Sequence, residues 1–369
     1  MKEFKNLDQQ YVDLIKDIVE NGDRIDSRNG GILSLLGTTL HSEVIAEHGF
    51  PIITTKYTHF KGIAAELLWY IQGSTKLSHL LDNGSMVWCG DAYTNYLKTW
   101  RNFLPQNDSQ RRIRPNVCND INEPEPFTMI EFIAAIKSDV LFREYFDNFG
   151  PIYGEQFTRP NSPSSKGQLI DTIDLLHKDP LTRRAVVDSW SPTELHRMVL
   201  PPCVFAFQFK AVEASDDLID TYNKQRKSIY GDAVIPISYD YVLNITYFQR
   251  SADVPLGVPF NISTYALLLQ IVAEILNMIP GKVIAMMNDS HIYENQLENL
   301  VPEIYDRFAH ELPLLKLPIE LISRIRNASN LRPEPFKQSI RDCFDDMSIS
   351  DFELIGYKHS GKLNLPLSN

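Results

Sequence analysis

Cysteine is scarce and scattered in this 369-residue chain: Cys89, Cys118, Cys203 and Cys343 are the four, far apart and with no CxxC spacing. That pattern matches neither a disulfide framework nor a zinc site, so no metal is expected and reduced thiols in a cytoplasmic setting fit best. Basic charge is not in excess either. Lys and Arg number 36 against 47 Asp and Glu, a net charge of -11, which argues against a nucleic-acid coat. It does not exclude an anionic substrate, because a few placed arginines hold a phosphate locally. Met1 to Gln10 is polar and charged, unlike a signal peptide. No apolar run reads as long enough to span a bilayer, and there is no internal repeat. What remains is an ordinary globular composition, 43% hydrophobic and 22% charged, in a chain long enough for a large core.

Apolar spacing predicts an amphipathic helix over Tyr11 to Val19 and a buried one over Ile63 to Ile71. Leu33 to Leu36 and Glu43 to Ala46 read as short strands around a turn. Further helices are expected near Gly167 to His177 and over Asn261 to Leu276. Strands are expected at Val186 to Trp190, Val204 to Lys210, Asn244 to Arg250 and Val283 to Met287. Thr94 to Asn148 reads as an inserted, surface-lying subdomain with a short helix near Met129 to Ile136. It holds an arginine cluster, Arg111, Arg112 and Arg114, whose plainer reading is a solvated face. Glu213 to Ile235 is charged and turn-rich, a second insertion. The whole, residues 1–369, reads as one α+β domain with two insertions.

Cys203 follows two prolines in Leu200-Pro201-Pro202-Cys203 and precedes the apolar run Val204 to Phe209. Proline stiffens the approach, which suits a nucleophile that must meet a substrate atom at a fixed angle. Alone, such a cysteine is more simply a buried core residue. Its company changes the reading. Arg28 lies in a glycine turn, Asp26 to Gly31; Arg183 and Arg184 precede a strand. Gln249-Arg250-Ser251-Ala252-Asp253 closes another strand, and Asn261 follows Gly257-Val258-Pro259-Phe260. Asn288 to Tyr293 brings His291 beside Tyr293. Singly, each is a solvated arginine, a helix cap or a structural histidine.

Together these segments resemble the thymidylate synthase family. The similarity rests on Leu200 to Cys203, Tyr247 to Val254, Leu256 to Ile262 and Asp289 to Tyr293. Phe50 to Lys56, Glu66 to Trp69, Gly150 to Gly154 and Asp179 to Arg184 add to it. The resemblance implies a mixed β-sheet with helices on one face and a sheet-to-sheet homodimer. It implies dUMP as substrate and 5,10-methylene-tetrahydrofolate as co-substrate, with no metal. Cys203 is then the nucleophile that adds to uracil C6, a role for the thiolate that cationic neighbours favour. Arg250 contacts thiol and phosphate. Glu66, with Tyr153, moves protons at C5 and the folate, and Asp253 holds the pterin. Arg28, Arg183 and Arg184 bind phosphate, the last two given by the partner subunit. Gln249 and Ser251 join the nucleotide site. Asn261 reads the pyrimidine edge, where an amide suits uracil N3–H and O4. His291 and Tyr293 hold the 3′-hydroxyl. Lys56, Val87, Trp88, Leu256, Gly257 and Phe260 line the folate site.

Four departures matter. Val204 replaces a frequent histidine. The Arg28 loop is short. Trp88 is followed by Cys89-Gly90-Asp91, which removes a second tryptophan from the folate wall. The sequence closes on Leu365-Pro366-Leu367-Ser368-Asn369, where the family usually has an apolar pair. A polar tail and a thinner aromatic wall weaken water exclusion. The expectation is therefore a phage-type deoxyuridylate hydroxymethylase giving 5-hydroxymethyl-dUMP. The alternative is a thymidylate synthase giving dTMP and dihydrofolate, and the remote one a non-catalytic nucleotide- or RNA-binding member.

Overall fold

The computed structural model describes residues 6–44, 49–103, 125–231, 239–320, 323 and 333–368. Helix α1 (Leu7–Asn21) starts where Asn6 accepts a bond from the Gln9 amide, and its apolar stripe from Leu7 to Ile18 is buried. Asp8, on that helix, accepts from the Thr54 and Thr55 amides and the Thr54 hydroxyl, so α1 is tied to the stretch that carries Lys56. Strands β1 (Asp23–Ser27) and β2 (Gly30–Glu43) form a hairpin whose two-residue turn is Arg28-Asn29. Gly30 takes φ +115°, a conformation side chains rarely adopt, and this fixes the turn.

Helices α2 (Phe60–Ile71), α3 (Leu77–Asp82), α4 (Cys89–Thr99), α5 (Met129–Ser138), α6 (Val140–Phe146), α7 (Tyr153–Thr158) and α8 (Gln168–Lys178) follow. Then come β3 (Val186–Asp188), β4 (Val204–Glu213), α9 (Asp216–Tyr230), β5 (Tyr241–Gln249), β6 (Ala252–Asp253), α10 (Gly257–Ile275) and β7 (Ile279–Tyr293). The chain closes with α11 (Glu294–Ile304), β8 (Leu314–Lys316), α12 (Pro333–Asp346) and β9 (Glu353–Ile355). The main sheet runs β1-β2-β7-β5-β4-β3, with β6 beside β7. It is mixed, since β5 and β7 are parallel and joined by the α10 crossover, while the other neighbours on that path are antiparallel.

One face of the sheet is packed. Phe207, Phe209, Leu243, Ile245 and Tyr247 are buried, and Tyr265 of α10 stacks on Tyr247 at 4.7 Å and meets Phe207 at 5.4 Å. The other face leaves Phe205 and Met286 partly exposed around a cavity of about 220 Å³, also lined by Gly37, Thr38 and Phe248. The sheet with helices on one face is thus as expected.

Several element boundaries differ from the sequence reading, each for a physical reason. Leu33 to Leu36 and Glu43 are not two short strands but one, because pairing with β7 continues through Thr38 and Thr39; residues 45–48 lie outside the described ones. Strand β7 likewise runs past Met287 to Tyr293: the polar Asp289 and Ser290 that resemble a loop are matched by Ser34 and Thr38 across the ladder. Helix α10 begins at Gly257, four residues before Asn261. Pro259 sits in its first turn, where no backbone donor is needed. At 19 residues α10 is also apolar enough by composition to cross a membrane, contrary to the sequence reading; it is instead the buried core helix.

Of the stretch 213–235, the described residues 213–231 are mainly helical rather than turn-rich, and 232–235 lie outside the described ones. Their helix, α9, is anchored by a buried ion pair from Arg226 to Glu274 of α10 at 2.6 Å. In the described part of 94–148, α5 and α6 bury Phe132, Ile136 and Phe142, and the Phe132 and Phe142 rings meet Tyr96 of α4. The arginine cluster at 111–114 and Cys118 lie outside the described residues.

Candidate active site

Cys203 stands just before β4, with its backbone held on both sides. Its amide donates to the Tyr153 hydroxyl at 2.9 Å, and its carbonyl accepts from the Arg250 amide at 2.8 Å. The Arg250 guanidinium donates to the carbonyls of Pro202 and Pro201, each at 2.9 Å, and lies over the Trp190 ring. The diproline therefore stiffens the approach twice, through its own rings and as the acceptor for Arg250. Pairing is irregular between Val204 and Ala206, a bulge that lets β4 start beside the thiol without the regular ladder. Burial pushes the Cys203 thiol up and Arg250 pulls it down, while Asp91, Asp253 and Glu66 oppose the thiolate.

Tyr153 comes from the Gly150 to Gly154 segment. Gly150 has φ +79°, and a Cβ there would lie 2.1 Å from the Arg197 carbonyl oxygen, so only glycine fits. Tyr153 itself has φ +23°, unusual for a residue with a side chain, and its ring stacks on Tyr70 at 4.7 Å. Glu66, on α2, is buried and accepts from the Trp88 indole at 2.7 Å. Burial raises its carboxyl; hydrogen bonds from Trp88, Tyr70 and Thr264 hold part of that rise back. Trp88 packs among Trp69, Phe149 and Tyr153.

Asp253 ends β6 and accepts from the Leu256 amide at 3.0 Å and from Gln296 at 3.3 Å. Burial raises its carboxyl, with the Leu256 amide, His291, Gln296 and Lys56 opposing. Lys56 is buried, its ammonium donates to the Pro255 carbonyl at 2.5 Å, and burial brings it down to about 8. His291 is buried with Nδ1 3.3 Å from Asp289, which also accepts from Ser34. Tyr293 bonds Asn29 of the hairpin turn. Gln249 is buried and donates to the Ser251 carbonyl at 2.9 Å, while its Oε1 has no partner among the described residues. Asn261, Leu256, Gly257 and Phe260 are partly buried at the start of α10, with the Asn261 amide 3.9 Å from where a Gly257 Cβ would stand. Val87 is 39% exposed beside Trp88.

The arginines do not converge. Arg28 is exposed in the β1–β2 turn, bonded to Asn29. Arg183 and Arg184 precede β3, at the other edge of the sheet, and are exposed. Val186 pairs with Gln208. Extending that register, Arg184 falls level with Lys210, about 23 Å along β4 from Cys203 at ~3.3 Å per residue.

Some neighbours of the site were not singled out as site residues in the sequence. Asp91 lies one turn into α4 and lines a cavity of about 260 Å³ with Arg28, Asn29, Thr94, Asn95 and Lys98. Burial raises its carboxyl, with Arg28 opposing, and it senses Cys203. Its signal was available as the departure after Trp88. Asn29, Asn295 and Gln296 carried no such signal. Asn295 bonds Ser368 at 3.0 Å, and the Asn29 amide donates to the Ser368 carbonyl at 3.4 Å, so the last described residues lie against the hairpin turn. Among the described residues, no group of three His, Cys, Asp or Glu side chains is set to hold a metal.

Comparison with known proteins gives one consistent picture. The family model described as thymidylate synthase matches residues 9–369. The thymidylate synthase of Mycoplasma mobile is 32% identical over 346 residues, covering 94% of this chain and 96% of that protein. That of Mycoplasma pneumoniae is 31% identical over 355 residues, 95% and 96% of the two chains. That of Listeria monocytogenes serotype 4b is 31% identical over 312 residues, 84% and 90%.

Proposed function

The chain belongs to the thymidylate synthase family, and we propose that it transfers a one-carbon unit from 5,10-methylene-tetrahydrofolate to C5 of dUMP, giving dTMP and dihydrofolate. The observation that carries this reading is Cys203, whose backbone is pinned by Tyr153 and Arg250 and whose thiol feels Arg250 and the buried carboxyl of Glu66. The names of the relatives favour the methylating product over the hydroxymethylase expected from the tail and the folate wall.

In this reading Cys203 Sγ adds to C6 of the uracil ring, and C5 becomes the carbon nucleophile. Arg250 offsets part of the burial penalty on the thiolate. Glu66, raised by burial, takes the C5 proton or delivers one at the folate, with Tyr153 beside it. The Asn261 amide faces the pyrimidine edge. His291, held by Asp289, and Tyr293, held by Asn29, take the 3′-hydroxyl. Asp253 holds the pterin, and Trp88, Val87, Leu256, Gly257 and Phe260 supply its walls. Lys56 then acts from behind Asp253, as a buried charge. Arg28 binds phosphate from within the chain. Arg183 and Arg184 reach a phosphate only in a second subunit, so the reading includes a homodimer packed through the open sheet face around Phe205 and Met286.

A second reading, the dUMP hydroxymethylase, has one observation in its favour. Asp91 places a carboxyl, not an aromatic ring, in a cavity that reaches Leu200, and Cys203 feels its charge. Water admitted there would attack the exocyclic methylene in place of hydride. Incubation with dUMP and methylene-tetrahydrofolate, read by mass spectrometry, separates the two. dTMP with stoichiometric dihydrofolate is the expected result, and a Cys203→Ser chain should bind dUMP without turnover. Formation of 5-hydroxymethyl-dUMP with unoxidised tetrahydrofolate would select the second reading. Binding of dUMP with no product at all would return the non-catalytic one.

A further inference from the structure

Gln296 is fully buried in the first turn of α11, and its side chain makes three hydrogen bonds, each to a different part of the site. Its Oε1 accepts from the Tyr293 amide at 3.3 Å. Its Nε2 donates to Asp253 Oδ2 at 3.3 Å and to the Pro366 carbonyl at 3.3 Å. A primary amide has two N–H donors, and here one goes to each acceptor. The neighbouring Asn295, which is exposed, exchanges bonds with the Ser368 hydroxyl at 3.0 and 3.2 Å. The segment from Pro366 to Ser368 is therefore seated on the first turn of α11, and through Asn29 on the hairpin turn.

We propose that Gln296 is a positioning residue that couples the seating of the 366–368 segment to the orientation of the Asp253 carboxyl. The inference rests on the reading of Asp253 as the folate-contacting group. The mechanism is geometric. While Pro366 is in place, the amide plane is fixed by three acceptors and donors, and one proton must point at Asp253 Oδ2. When the segment lifts, that side of the amide is released and the Asp253 carboxyl loses a defined partner. Folate orientation then depends on a segment linked to the folate-binding carboxyl through this side chain. The device explains why a buried polar residue stands at a position where α11 otherwise packs Leu300 and Ile304 into the core.

The test is a double-mutant cycle in the full-length protein between Gln296→Met, which keeps size and removes the amide, and a chain ending at Leu365. Each single change should raise the KM for methylene-tetrahydrofolate about tenfold, the size of one lost hydrogen bond to a charged acceptor, with the KM for dUMP within about twofold of wild type. The double variant should be no worse than the poorer single one by more than about threefold. Gln296→Met should also move the Asp253 limb of the kcat/KM profile to higher pH, because a donor that stabilises the carboxylate is gone. Effects that multiply, a parallel rise of both KM values, or an unmoved limb would overturn the coupling. Should Gln296→Met fail to fold, the exposed Asn295→Ala serves instead: it loosens the segment from outside and should raise the folate KM about threefold, and an unchanged KM would refute the idea. Wild-type protein without folate-dependent turnover would sink the functional reading and this inference together; active wild type with independent single changes sinks the inference alone.

Discussion

The ion pair between Arg226 and Glu274 ties α9 to the core helix α10. Removing the acid alone, as in Glu274→Ala, leaves the guanidinium buried at 4% side-chain exposure with no carboxylate. Both oxygens of Glu274 now accept from Nη1, at 2.7 and 2.6 Å, and Nε has no partner among the described residues. The Tyr222 and Tyr230 rings, 5.8 and 5.7 Å away, would still face the charge but carry no carboxylate. Breaking one half of such a pair costs about 3–5 kcal/mol. At an unfolding entropy of about 2.1 cal/mol/K per residue, 369 residues lose about 1.3 °C of Tm per kcal/mol, so the drop should be about 4–6 °C. The double change Arg226→Met with Glu274→Leu removes both charges and should restore most of the loss. Calorimetry at fixed protein concentration measures all three. A single variant within about 1 °C of wild type, or a double variant worse than the single, would refute the claim that desolvated charge locks α9 to α10.

Two further outcomes follow from buried titrating groups. Trp88→Phe removes an indole donor from Glu66, so the Glu66 limb of the kcat/KM profile should move to higher pH; a limb that stays put would detach Glu66 from that step. Lys56 falls from 10.5 to about 8 on folding, so the unfolded chain binds more protons between those values and stability should rise with pH across that window. Lys56→Met should flatten that rise and be more stable below pH 8 by about 3 kcal/mol; parallel curves from denaturant titration would contradict the burial of the charge.

The chemistry was legible where it is written in short runs. Leu200 to Cys203, Gln249 to Asp253 and Asp289 to Tyr293 each place their groups on one strand end or bend, and the fold brings those ends together. Contacts between distant stretches were not legible. Arg226 and Glu274 lie 48 positions apart, and nothing in the charged helix announces a buried partner. Gln296 and Pro366 are 70 apart. The burial of Lys56 was not legible either, because lysine is almost always exposed and its acceptor, the Pro255 carbonyl, lies 199 positions away. The continuation of β2 through Thr38 and of β7 past Met287 was not legible, because the polar side chains there are matched only across the ladder, Ser34 with Asp289 and Thr38 with Ser290.

The backbone of Tyr153 has a consequence for how this chain can vary. A non-glycine residue with positive φ carries roughly 1–3 kcal/mol of conformational strain. Here that strain sits on the residue whose hydroxyl receives the Cys203 amide. Selection for thermal robustness alone would favour glycine or asparagine at 153. Drift toward a sturdier fold and retention of the hydroxyl thus pull in opposite directions at this one position. Chains of this kind recovered from hot environments should have gained their robustness elsewhere and kept the strained tyrosine.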